Sequence, residues 1–182
     1  VIEEATKILA EADCLFDKSQ VEAALDALAV QISARLATAN PIVLCVLNGA
    51  LVVTGELLTR LAFPLQVDYL HASRYREKLS GAELQWKARP SSALAGRTVL
   101  IVDDILDEGD TLVKIREYCL EQRAAEVLCA VLVDKNHERR HRALPRADFT
   151  GLDAPDRYLF GYGMDYKGYL RNAPGIYAVA NT

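Results

Sequence analysis

The chain is poor in the residues that mark several kinds of protein. Its 182 residues include four cysteines, one tryptophan and one methionine. Cys14, Cys45, Cys119 and Cys129 show no Cys-x-x-Cys spacing, which argues against a disulfide scaffold, a zinc ribbon and a thioredoxin-type redox pair. Cys45 and Cys129 stand inside apolar runs and read as small core residues. No apolar run approaches the 18 or so residues of a membrane span, and no secretory signal pattern is visible. The expectation is a cytoplasmic protein with no membrane partner. Val1 rather than Met opens the chain, which leaves its natural start open. Basic residues are outnumbered 21 to 25 by acidic ones, a net charge of −4, so there is no electrostatic footprint for nucleic acid. There is no Gly-Lys-Ser/Thr of a nucleoside-triphosphate loop, no three-glycine dinucleotide fingerprint and no internal repeat. The length fits one domain.

What is present is concentrated at 97–112, Arg-Thr-Val-Leu-Ile-Val-Asp-Asp-Ile-Leu-Asp-Glu-Gly-Asp-Thr-Leu. Val99 to Val102 reads as a buried strand of a parallel sheet. Asp103, Asp104, Asp107, Glu108 and Asp110 follow, with Gly109 and Thr111 among them, and a helical pattern starts at Leu112. A strand, a loop and a helix N-terminus in sequence is where open α/β sheets bind ligands. Amides at a helix start beside a glycine suit a phosphate. Paired carboxylates at a strand end accept hydrogen bonds from sugar hydroxyls or hold a hydrated Mg²⁺. Together these suggest a phosphorylated sugar; the bland alternative is an acidic turn capping a helix.

Along the rest of the chain, residues 2–13 and 19–38 read as helices, the second opened by a Ser19–Glu22 capping box. Val21, Ala24, Leu25, Leu28, Ile32 and Leu36 make a core stripe. Strands are expected at 42–47, 66–72, 84–89, 98–103, 127–133, 147–151, 157–163 and 176–179, with further helices after Ala50 and at 111–123. Gly49 lies in a turn between strand and helix. The polar stretch 73–82 is either a plain hairpin or a lid. Asp107 has Asp104 and Glu108 as sequence neighbours, whose like charge is expected to raise its pKa. Lys135 stands at a strand's carboxyl end, placed to touch a ligand. After it, Arg139, Arg140 and Arg142 look like a basic patch, but without interleaved aromatics a nucleic-acid role is disfavoured. His137 and His141 stand four apart, a metal-binding spacing on a helix, yet the stretch reads as loop with no acidic third ligand at a useful spacing.

Val-Asp-Asp-Ile-Leu-Asp-Glu-Gly-Asp-Thr-Leu resembles the phosphoribosyl-pyrophosphate (PRPP) signature of the type I phosphoribosyltransferases. From about Pro41 to Val179 the chain resembles their 6-oxopurine branch, the hypoxanthine-guanine phosphoribosyltransferases. The resemblance implies an α/β fold, a Rossmann-like parallel sheet flanked by helices, in a single domain. Its core would cover about 35–150, a small hood about 1–20 and 151–182, and a flexible loop about 72–90. The implied reaction is Mg²⁺-dependent transfer of phosphoribose from PRPP to hypoxanthine or guanine, releasing pyrophosphate. Asp107 is implied as general base, and Tyr75 as part of the catalytic loop, where Arg74 replaces the family's usual serine. Asp103 and Asp104 would hold the ribose hydroxyls, directly or through Mg²⁺. Asp107, Glu108, Gly109, Asp110 and Thr111 would surround the 5′-phosphate, although Glu108 and Asp110 depart from the family's residues there. Asn48, Gly49, Arg74 and Arg171 would bind pyrophosphate, Asn48 standing where members often have a cation and the Leu47–Asn48 peptide being expected cis. Lys135, Tyr158, Leu159 and Asp165 would bind the purine, and Asp165 would also hold a second Mg²⁺ through water. A homo-oligomer, dimer or tetramer, is expected. The alternatives are a regulator of the same fold that senses PRPP or nucleotide, and a xanthine-preferring phosphoribosyltransferase.

Overall fold

The structure, a computed structural model, describes residues 1–74 and 84–180. In chain order the elements are α1 (Ile2–Glu11), β1 (Asp13–Phe16), α2 (Lys18–Leu36), β2 (Ile42–Leu47), α3 (Leu51–Leu58), β3 (Gln66–Arg74) and β4 (Leu84–Ala88). They continue with β5 (Thr98–Leu106), α4 (Asp110–Glu121), β6 (Glu126–Asn136), β7 (Phe149–Pro155), β8 (Leu159–Phe160) and β9 (Ile176–Ala178). Six strands form the main sheet in the order β4-β3-β2-β5-β6-β7. β4 runs antiparallel to β3 and the other neighbours are parallel. Three short strands, β1-β9-β8, form a separate antiparallel sheet.

The apolar runs of β2, β5 and β6 are buried on both sides, as parallel strands between two layers must be. Alternation along each strand divides its side chains between two cores. Val43, Leu100, Val102 and Leu132 pack with α2 and the small sheet, while Leu44, Ile101, Cys129 and Val131 pack with α4. The α2 stripe is buried throughout, and each fully buried Leu or Ile is worth roughly 1.5–3 kcal/mol. Its cap differs from the sequence expectation. Asp17 accepts from the Gln20 amide at 2.9 Å, and the Gln20 side chain returns to the Asp17 amide at 2.9 Å. The reciprocal box therefore begins two residues before Ser19, because Asp17 is an equally good acceptor.

β1, unpredicted because four residues carry no periodicity, joins the chain ends: Asp13 pairs in register with Ala178. Arg157 reinforces the seam through Asp13 at 2.6 Å and the Val179 carbonyl at 2.7 Å. Glu4 on α1 takes Tyr166 at 2.9 Å and Lys167 at 2.6 Å. No helix among the described residues is long and apolar enough to cross a membrane.

Asp68 on β3 holds the loop after β4. It accepts the Tyr69 amide at 2.8 Å, the Ser91 amide at 2.8 Å and the Ser92 amide at 2.7 Å. Burial alone would raise its pKa, but these bonds outweigh burial and lower it. A depressed carboxylate stabilises the fold above its unfolded-state value of about 3.9 and loses that contribution as pH falls through the folded pKa. Asp68→Asn is therefore expected to cost about 1–3 kcal/mol near neutral pH. In urea melts the gap from the parent protein should close below about pH 4.

Candidate active site

The site forms where β2, β5 and β6 end and the small sheet comes down beside them. β5 does not stop at the first carboxylate. It continues through Asp103 and Asp104 to Leu106, in parallel register with β6 up to the Leu106–Asp134 pair. The acids were expected to end the strand; the ladder to β6 carries it three residues further. Asp104 is buried and Asp103 half-buried. The Asp103 Oδ1 accepts the Asp104 amide at 3.0 Å. Burial, reinforced by the Asp104 charge, pushes the Asp103 carboxyl well above the usual carboxylate range. Burial also raises Asp104, against the opposing pull of the Asp103 hydrogen bond and of Arg171.

The turn after β2 fits against this diacid. The Leu47–Asn48 peptide is cis, Asn48 is exposed, and Gly49 lies so close that a Cβ on it would meet Asp104 Oδ2 at 2.1 Å. From the other side comes Gly163, at φ +107°, where a Cβ would meet the Gly49 carbonyl oxygen at 2.1 Å. Two glycines thus let three chain segments stack closely, Gly163 against the Gly49 backbone and Gly49 against the Asp104 carboxylate. Arg171 locks the layer: it donates to the Gly163 carbonyl at 2.6 Å and pairs with Asp165 Oδ1 at 2.7 Å, while Asp165 Oδ2 accepts the Gly168 amide at 2.7 Å. Gly163 was not among the expected site residues, although the Gly-Tyr-Gly at 161–163 is the visible trace of this approach.

Asp107, in the loop after β5, meets nitrogen donors rather than acids. Lys135 Nζ lies 3.0 Å from Oδ2 and His137 Nε2 lies 2.7 Å from Oδ1. Burial pulls this carboxyl upward, but Lys135 and His137 together outweigh it and the net shift is downward. The expected upward shift is therefore corrected: the groups that govern Asp107 come from β6 and the loop following it. Lys135 is buried and also lies 3.5 Å from Asp156. Arg139 grips Asp156 with two bonds, 2.7 and 2.9 Å, and holds its pKa at about 2. Arg140 donates to the Asp134 carboxylate at 2.5 Å and the Lys135 carbonyl at 2.6 Å. The apparent basic patch thus pairs two arginines with carboxylates, Arg139 at the surface with Asp156 and Arg140 beneath it with Asp134. Asp107, His137 and Asp156 bring ligand-type atoms within 4.8 Å of one another, which supplies the acids missing from the sequence reading of His137. Lys135 and Arg139 already balance that cluster.

Beyond Asp107 the chain turns through Gly109, at φ +89°, into α4. The loop after β6 covers this turn, the His141 amide donating to the Glu108 carbonyl at 2.7 Å. Glu108, Asp110 and Thr111 are partly exposed along it. Across the cleft, Tyr158 is 53% exposed, its hydroxyl donating to the Asp165 carbonyl at 3.2 Å, and Leu159 is buried in β8. A cleft of about 190 Å³ brings together Asp104, Asp107, Lys135, Tyr158, Leu159 and Asp165. Tyr75, Arg76, Lys78 and the side chain of Arg74 lie outside the described residues. A larger cleft of about 380 Å³, between β4 and α4, contains none of the expected site residues.

The phosphoribosyl transferase domain model matches residues 11–163. A hypoxanthine-guanine phosphoribosyltransferase of Streptococcus pneumoniae is 32% identical over 163 residues, 89% of each chain. A hypoxanthine-guanine-xanthine phosphoribosyltransferase of Tritrichomonas foetus is 30% identical over 162 residues, covering 89% of this chain and 88% of its own. Among solved structures, a hypoxanthine phosphoribosyltransferase of Staphylococcus aureus superposes with a TM-score of 0.85 at 26% identity, over 92% of this chain and 91% of that one.

Proposed function

This chain belongs to the phosphoribosyltransferase family, and from that premise we propose that it transfers phosphoribose from PRPP to N9 of hypoxanthine or guanine, giving the nucleoside monophosphate and pyrophosphate. The observation that carries the choice of base is the pairing of Asp107 Oδ2 with Lys135 Nζ at 3.0 Å inside the cleft. An acceptor beside a cationic donor complements the N7–H and O6 of a 6-oxopurine. The purine exchanges one ion pair for two hydrogen bonds. Adenine offers an amine where Lys135 needs an acceptor, and a buried donor left unpaired is costly.

The half-exposed Tyr158 ring offers a stacking face for the base, and the Leu159 backbone its polar edge. Asp103 and Asp104 hold the ribose hydroxyls, and the turn at 108–111 with the start of α4 takes the 5′-phosphate. The backbone at 48–49, with Arg171 behind it and Arg74 at the end of β3, receives pyrophosphate. Transfer passes through a cationic ribosyl centre, so the protein's task is to position two reactants and stabilise separated charge. Asp107 accepts the N7 proton as N9 bonds to the sugar. Tyr75 belongs to the segment expected to cover the reacting atoms.

The donor set fits magnesium. Asp103 and Asp104 offer adjacent carboxylate oxygens whose raised pKa values favour a divalent partner, and hard oxygen donors suit Mg²⁺. Asp165, already engaged by Arg171 and Gly168, would help to hold a second ion. Bound Mg²⁺ offsets the charge of the departing pyrophosphate. We treat residues 1–182 as one catalytic unit, cytoplasmic and homo-oligomeric, with the small sheet as its hood.

The test is steady-state turnover with PRPP and Mg²⁺ against hypoxanthine, guanine, xanthine and adenine. Hypoxanthine and guanine are expected to exceed adenine in kcat/KM by at least about 10²-fold. Xanthine above both would shift the assignment to the xanthine-preferring reading. Comparable turnover of adenine would contradict the role of Lys135. PRPP binding without turnover of any base would favour a regulatory sensor.

A further inference from the structure

His137 is the residue in this site that neither composition nor spacing singled out as useful. Its side chain is only 4% exposed, although it follows the last residue of β6 at the start of a surface loop. Lys135, on β6, and His137, in the bend that follows it, each take one oxygen of the same carboxylate, Oδ2 and Oδ1 of Asp107. Both ring nitrogens of His137 are used. Nδ1 accepts the Arg139 amide at 3.0 Å, and Nε2 meets Asp107 Oδ1 at 2.7 Å. An N–H donated to Nδ1 requires that nitrogen to carry no proton, so in the neutral ring the proton sits on Nε2 and is donated to Asp107. The tautomer is set by the backbone of the following turn.

A carboxylate held at a single oxygen can rotate about its χ2 torsion; one held at both cannot without breaking a bond. When a purine draws Lys135 toward O6, the Lys135–Asp107 contact loosens at the moment Asp107 must present Oδ2 to N7. The bond to His137 is then the one that keeps the carboxylate in plane. Arg139, which fixes the tautomer through its amide, also clamps Asp156 through its side chain, so one short loop organises both sides of Lys135.

We propose that His137 is a positioning residue for phosphoribosyl transfer, its Nε2–H holding Asp107 Oδ1 so that Oδ2 faces the purine N7. This rests on the reading of Asp107 as the general base. His137→Ala is expected to lower kcat for hypoxanthine by about 10–100-fold, the usual cost of losing a hydrogen bond that orients a working side chain. KM for PRPP should stay within about threefold, because PRPP contacts other residues. His137→Gln, whose amide N–H can reach the same oxygen, should recover most of the loss. Because the effect runs through Asp107, adding His137→Ala to Asp107→Asn should cost nothing further.

¹⁵N NMR of the protein with labelled histidine reads the tautomer without any variant, and a protonated Nε2 with a bare Nδ1 is expected for His137. If His137→Ala keeps kcat within twofold while Asp107→Asn loses 10² or more, the base stands and the positioning role falls. If Asp107→Asn itself keeps parental kcat, the base reading falls and this proposal falls with it. A protonated Nδ1 on His137 overturns the proposal whether or not the alanine variant folds.

Discussion

Asp107→Asn is expected to slow phosphoribosyl transfer by about 10²–10⁴-fold, the range of general-base assistance, while PRPP still binds. Asparagine keeps the size of the side chain and an oxygen for His137, but it cannot accept the purine proton. Burial works to raise the pKa of Asp107, and the donors Lys135 and His137 more than cancel it. The carboxylate therefore remains ionised at neutral pH, ready to accept a proton without first losing one. Its low pKa makes it a weaker base in the resting site than in the reacting one. Once a 6-oxopurine draws the Lys135 ammonium away, a principal cause of the depression weakens and the basicity of Asp107 rises. The kcat of the variant, beside PRPP affinity from calorimetry, checks this; parental kcat would remove Asp107 from the chemistry.

The second large effect is expected at Gly163. At φ +107° the backbone lies where a side chain is strained, and a Cβ would sit 2.1 Å from the Gly49 carbonyl oxygen. That neighbour is backbone and has no rotamer in which to retreat. Gly163→Ala must push the 161–165 turn away from the turn after β2. The shift breaks the register in which Arg171 holds the Gly163 carbonyl and Asp165. A loss of more than about 2 kcal/mol in urea unfolding is expected, combining a backbone cost of about 1–3 kcal/mol with the clash, together with loss of turnover. Gly168 is the control. It too has positive φ, +85°, but open space around its Cβ direction. Gly168→Ala should show the backbone cost alone and keep most of the activity. Equal effects at the two glycines would mean that the contact with Gly49 is unimportant.

The parts of this fold that were legible in sequence are those in which a short stretch decides its own environment. Ile42 to Leu47 is apolar at every position and forms a strand with those bounds. The α2 stripe buries the expected side chains. Its N-terminus was misread because Asp17 and Ser19 both offer an acceptor with a partner three residues on, and only the structure shows which of them turns the chain. β1 has four residues and exists because β9, far along the chain, offers an edge.

The site followed the same division. Asp104, Asp107, Lys135, Tyr158, Leu159 and Asp165 do meet in one cleft. The electrostatics of Asp107 could not be read from its neighbours in sequence. The loop carries Asp104 and Glu108 beside it along the chain, yet Lys135 and His137, 28 and 30 residues away, supply its hydrogen bonds. Arg139 looked like part of a basic patch for the same reason, since Asp156 reaches it only after β6 and β7 have paired.

The most direct test of the account is a crystal structure with a purine nucleoside 5′-monophosphate product bound, inosine or guanosine monophosphate. The account predicts O6 on the Lys135 ammonium, N7 facing Asp107 Oδ2, the ring against Tyr158 and the phosphate at the turn between β5 and α4. A nucleotide in the cleft between β4 and α4, or one bound with the Lys135–Asp107 pair intact and its phosphate away from residues 108–111, would contradict it.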